Sequence, residues 1–137
     1  TSILILFSVI FFNILKEKKN SKISEKYIQA GIYLSSNEKK KSNILYKEII
    51  LSKNKFYSIL ALNTIIENDL EKDSGEILKL FEIIDKMNIN NNHKDLIKLK
   101  KALYLKKVLK DTEGDKLLNE IIAENSVWKD TALEILK

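Results

Sequence analysis

The side chain best suited to moving protons near neutral pH is His93, the only histidine, in the polar run NNNHKD. A general base or metal ligand needs partners, and the chain has no cysteine and no second histidine with which to complete a zinc site. His93 is therefore read as a solvated side chain. Carboxylates are spread over helix starts, as at Asp73, Glu76, Asp111 and Asp115, where capping and the helix dipole account for them. No glycine-rich phosphate loop, nucleophile elbow or calcium-loop spacing is present. These residues predict a protein that is not an enzyme and holds no cofactor and no metal.

Cations are the other chemically active group. All 24 basic residues are lysine, and the formal charge is +5. Reading of bases and phosphates leans on the bidentate guanidinium fork, which lysine lacks, so no nucleic-acid partner is expected. The codon bias of an AT-rich genome would produce the same lysine, isoleucine and asparagine excess. The run KLKKALYLKK sets Lys94, Lys98 and Lys101 on one helical stripe, with Lys100 and Lys107 beside it. Lys39, Lys40 and Lys41 form a second cluster. Such stripes are solvated faces or surfaces for acidic partners and anionic lipid. Lys98, Lys101 and Lys107 are the residues on which that second reading rests.

These side chains have to be carried by helices. With 45% hydrophobic and 31% charged residues, no proline and three glycines, the composition is that of an all-α globular protein. After Lys19 the apolar residues recur at helical spacing. Ser35, Ser36 and Asn37 are cap candidates for a helix over about 38–52, which carries Ile44, Leu45, Tyr46, Ile49 and Ile50. Further helices are predicted over about 54–68, from Asp73 to about 87, over about 93–110, and from the turn DTEGD onward. Asp73 with Glu76 has the spacing of a capping box. In the fifth helix Leu96, Leu99, Ala102, Leu103 and Leu109 are the expected apolar set.

The spacing also repeats. In tetratricopeptide-like units of about 34 residues, a small residue on the first helix faces a small one on the second, because the two backbones cross closely there. Ala30 followed by Tyr33 and then Ser42, Tyr46 and Ile49 fits that order. So does Ala102 followed by Leu105 and then Gly114, Leu118 and Ile121, with Ala132 in the next opening helix. The middle pair, Ala61 with the helix after Asp73, matches loosely. The fold expected is an α-solenoid of about three hairpins over residues 20–137, the last incomplete.

Before it, SILILFSVIFFNIL is apolar from Ile3 to Leu15 apart from Ser8 and Asn13. Thirteen helical residues cover about 20 Å, against about 30 Å of bilayer hydrocarbon. No cleavage-site pattern follows the run, and its large residues cover every face. Residues 1–19 are thus expected to be a transmembrane anchor lacking its first residues. Lys137 stands where a helix pattern is still running, so the chain is expected to be a fragment.

The only tryptophan lies in ENSVWKDTALEILK. Ser126 is a helix cap there, and Trp128 is expected to lie back on Leu118 and Ile121 or Ile122 with its indole N–H near water. Ser126, Trp128, Lys129, Ala132 and Glu134 resemble the pattern of the YfgM-like tetratricopeptide family of bacterial envelope proteins, with Ile135 where leucine is usual. The resemblance implies a single-pass inner-membrane protein with its repeats in the periplasm. It implies contact with the translocon, periplasmic chaperones or exported chains, and no catalysis. Lys16, Lys18, Lys19 and Lys22 run against that orientation.

The expected function is a membrane-tethered scaffold in envelope biogenesis that binds other proteins. The repeat register sets Tyr27, Tyr33, Asn63, Tyr104 and Trp128 on its concave side. The alternative is a cytoplasm-facing basic module that binds anionic lipid or nucleic acid through its lysines.

Overall fold

The computed structural model describes residues 2–137. These form seven α-helices and no strand, so the all-α class holds. The chain divides into two compact units with the boundary between Leu70 and Glu71.

The first unit holds α1 (Ser2–Ser35), α2 (Lys39–Leu51) and α3 (Tyr57–Glu67). Its core is Ile23 and Ala30 of α1, Tyr46, Ile49 and Ile50 of α2, and Ala61, Leu62 and Ile65 of α3. Ala30 and Ser42 are fully buried, and the Ser42 hydroxyl donates to the Ala30 carbonyl at 2.9 Å. A second buried hydroxyl, on Ser58, donates to the Ile49 carbonyl at 3.1 Å and draws α3 onto α2. Ile44 points to solvent.

The second unit holds α4 (Ser74–Asp85), α5 (Asn91–Lys107), α6 (Asp111–Ala123) and α7 (Lys129–Ile135). Ile77, Leu80, Phe81 and Ile84 of α4 are buried, as are Ile97, Leu99, Ala102 and Leu105 of α5 and Leu118 and Ile121 of α6. α5 and α6 cross at Gly114, where a Cβ would stand 3.0 Å from the Ala102 carbonyl oxygen and 2.8 Å from Lys106 Cγ. Only glycine fits there. The unit boundary falls inside the loosely matched middle hairpin, since α3 packs with α1 and α2 while α4 packs on α5.

Helix ends explain several differences from the sequence reading. Asp73 caps α4, its carboxylate accepting from the N–H groups of Gly75 at 2.7 Å and Glu76 at 3.3 Å. Ser35, Ser36 and Asn37 do not cap α2. Ser35 bonds back to the Gly31 carbonyl, and Asn37 adopts φ 61° and closes α1. The Glu38 N–H then reaches the Tyr33 carbonyl at 2.8 Å. The same left-handed closure recurs at Asp69, Leu109 and Asn125, with Leu70, Lys110 and Ser126 donating back to Ile65, Leu105 and Ile121. Leu109 therefore leaves the helix and is 87% exposed instead of joining the core.

The expected anchor is corrected. Residues 2–35 are one continuous helix that runs from the apolar segment into the packed part of the first unit. No helix of the described residues is long and apolar enough to cross a membrane. The apolar stretch stops at Lys16, and Glu17, Lys18 and Lys19 follow at once. The inner-membrane, single-pass placement with periplasmic repeats is overturned with it.

Candidate functional site

Of the five residues expected on the concave face, Tyr27, Tyr33 and Asn63 belong to the first unit and Tyr104 and Trp128 to the second. Tyr27 stands in an aromatic cluster, its ring 5.4 Å from both Tyr46 and Tyr57, with its hydroxyl 3.4 Å from that of Thr64. It holds α1 against α2 and α3. Tyr33 lies under the Lys41 ammonium, 5.2 Å from its ring centre, and Lys41 also pairs with Glu38. That pairing raises the Lys41 pKa, by hydrogen bond first and charge second. Asn63 is half-buried on α3. In the second unit, Tyr104 is half-buried with its ring 6.1 Å from Phe81.

Trp128 packs against the cluster of Leu99, Ala102, Leu118, Ile121 and Ala132, beside Leu117 and Ile122. Its indole nitrogen is buried without a hydrogen-bond partner, not near water. Ser126 does two jobs at this corner. Its hydroxyl donates to Asp95 at 2.6 Å and accepts from the Trp128 backbone N–H at 3.3 Å.

The second unit has a groove of its own, lined by other residues. A groove of about 640 Å³ runs along α5, walled by the end of α4 with the turn after it and by α6. Asn91, Lys94, Asp95, Lys98 and Lys101 form one face of α5, because a three- or four-residue step returns to the same side of a helix. Ile89, Ile97 and Leu117 supply the apolar part, and Asp85, Glu120 and Glu124 face the lysines.

The charges in this groove are paired. Lys98 Nζ sits 2.8 Å from Glu124 and 3.8 Å from Glu120, and Lys101 Nζ 3.1 Å from Asp85. The Lys98 and Lys101 side chains are 24% and 22% exposed. Their carboxylate partners are 40–53% exposed. Lys94, at the groove's rim, is exposed. Lys107 is exposed and does not line the groove. At the far end of α5, Asp115 holds Lys106 at 2.6 Å, and that hydrogen bond raises the lysine's pKa.

The sequence reading found Lys98 and Lys101 but not the acids that face them. The signal was present: Leu117 and Glu120 of α6 and Glu124 at its C-cap recur at helical spacing, opposite the lysine stripe of α5. Ile97 was missed because its neighbours Leu96 and Leu99 fill the same window of the pattern.

Chemically the groove offers charge and apolar contact. His93 lies exposed in the first turn of α5, its backbone N–H accepted by the Asn90 side chain at 2.9 Å. No group of three or more acidic or histidine side chains that could hold a metal occurs among the described residues. No family model, curated protein or solved structure matches the chain.

Proposed function

We propose that the protein is a non-catalytic, tetratricopeptide-like scaffold whose second unit takes a polypeptide segment of a partner protein into the groove along α5. The observation that carries this reading is the groove itself. It has apolar floor residues for side chains of a bound segment and fixed charges on both walls, as peptide-binding surfaces do. The register supports the construction. The two small-residue crossings, Ala30 with Ser42 and Ala102 with Gly114, have the same separation, and in each hairpin the large residue after them, Tyr46 or Leu118, is buried.

The lysine-module alternative is less favoured, since Lys98 and Lys101 already face carboxylates of the same unit. The test is selection of displayed peptides on the intact chain, followed by binding to a Lys94→Glu/Lys101→Glu variant and to an Asp85→Lys variant. The reading expects selected peptides to lose about tenfold or more in affinity for at least one of these, with folding unchanged by circular dichroism. Peptides that bind all three proteins alike would remove the groove from the function.

A further inference from the structure

Eight apolar side chains in the first half of α1 take no part in the core of their unit. Ile5, Phe7, Val9, Ile10, Phe11, Phe12, Ile14 and Leu15 are each between 47% and 70% exposed. At about 100° per residue they point in all directions around the helix, with no polar stripe among them. A helix that docks on a protein shows one apolar face, and this segment has none that is not apolar. The medium that suits it is hydrocarbon on all sides.

The residues that follow narrow the choice. Lys16, Lys18, Lys19 and Lys22 are exposed and make no ion pair among the described residues, while Lys26, one turn on, is held by Glu48. Glu17 is the one carboxylate among residues 16–24. An apolar tip followed by an unpaired cationic collar has the layout of lipid tails below anionic headgroups. The apolar run Ile3–Leu15 covers about 20 Å of helix, more than one leaflet's half of the roughly 30 Å hydrocarbon and less than the whole. Its interior backbone groups are satisfied within the helix, as hydrocarbon requires.

A second copy fits less well. Parallel pairing would bring two collars together. Contact between two such helices covers one face of each and leaves the other apolar faces in water.

We propose that the exposed segment of α1 enters one leaflet of an anionic bilayer without crossing it, with Lys16, Lys18, Lys19 and Lys22 among the headgroups. The inference stands apart from the groove and does not depend on it.

The experiment is flotation of the full chain with phosphatidylcholine vesicles and with vesicles that also contain phosphatidylserine. The chain is expected to float with the anionic vesicles, and increasingly weakly as salt rises. Phe11→Asp/Phe12→Asp should lose about tenfold or more in binding. Replacing the four lysines with glutamine should cost several-fold per lysine on anionic vesicles and little on neutral ones. The emission of Phe12→Trp/Trp128→Phe should be quenched by lipids brominated on their chains. Circular dichroism checks that each variant stays helical. Failure to float with anionic vesicles would overturn the proposal, as would flotation indifferent to the phenylalanine changes. Sedimentation showing an oligomer that Phe11→Asp dissolves, with no vesicle binding, would instead assign the segment to a second copy.

Discussion

Three residues hold conformations or environments whose energetic sign can be worked out. Gly114 sits in a helix, where alanine would normally be better by about 1 kcal/mol. Here the added methyl would press on the Ala102 carbonyl and on Lys106 Cγ, and overpacking costs about 1–3 kcal/mol. Gly114→Ala should therefore lower stability by up to about 2 kcal/mol, read from urea unfolding by Trp128 emission. An unchanged or raised midpoint would mean that the crossing has room to spare. Leu109 is the reverse case. It takes φ 62° at the end of α5 with its side chain in water, a conformation that costs about 1 kcal/mol outside glycine. Leu109→Gly should raise stability by a comparable amount, and a loss would show that the leucine makes a contact that matters. Tyr46 has its hydroxyl pKa raised, by burial first and by the neighbouring Tyr27 second. The folded value lies above the unfolded one, so the contribution is complete below about pH 10 and is lost as pH rises through and past that value. Tyr46→Phe should shift the alkaline unfolding of the first unit to higher pH, followed by far-ultraviolet circular dichroism.

Among the elements, the corner between α6 and α7 shows best what the sequence could and could not say. Trp128 was placed against Leu118 and Ile121 by periodicity alone, because a large apolar residue one turn after a helix closure has few other places to go. The fate of its N–H could not be read, since that depends on which polar atoms the fold brings near, and here it brings none. A buried donor without a partner costs about 1–3 kcal/mol. Trp128→Phe deletes that donor and keeps most of the ring, and should change stability by less than about 1 kcal/mol. Trp128→Ala removes the packing as well and should cost about 2–3 kcal/mol. If phenylalanine cost as much as alanine, the indole N–H would have to be making a bond. The same division explains α1 and α5. Helical type and the buried residues at the hairpin crossings are local properties of spacing. The groove, by contrast, needs α4, α5 and α6 to be set together, and the left-handed closures at Asn37, Asp69, Leu109 and Asn125 have no glycine to announce them. The continuity of α1 was hidden by the change from an apolar to a charged pattern at Lys16. That change alters what surrounds a helix, not whether the backbone continues as one.

Over the whole chain, charge is divided unequally. Residues 1–70 hold eleven lysines against six carboxylates, and residues 71–137 hold thirteen against thirteen. The entire +5 therefore belongs to the first unit, and its excess is largest on the exposed turns around Lys16–Lys22. Self-repulsion of this kind weakens a compact state and is relieved by added salt, because the screening length falls from about 30 Å at 0.01 M to about 10 Å at 0.1 M. The second unit has no net charge and has attractive pairs in its groove, so the same salt removes stabilisation there or leaves it unchanged. The two responses can be separated by native reporters. Trp128 is the only tryptophan and lies in the second unit, while four of the five tyrosines, Tyr27, Tyr33, Tyr46 and Tyr57, lie in the first. Raising salt should move the tyrosine-monitored unfolding midpoint upward and the tryptophan-monitored one downward or not at all. Lys16→Gln/Lys19→Gln, at exposed positions of α1 without ion pairs among the described residues, should flatten the first response and leave the second as it was. Midpoints that rise together in the parent chain would mean that the lysine excess is not what salt relieves, and that the response comes from apolar burial common to both units.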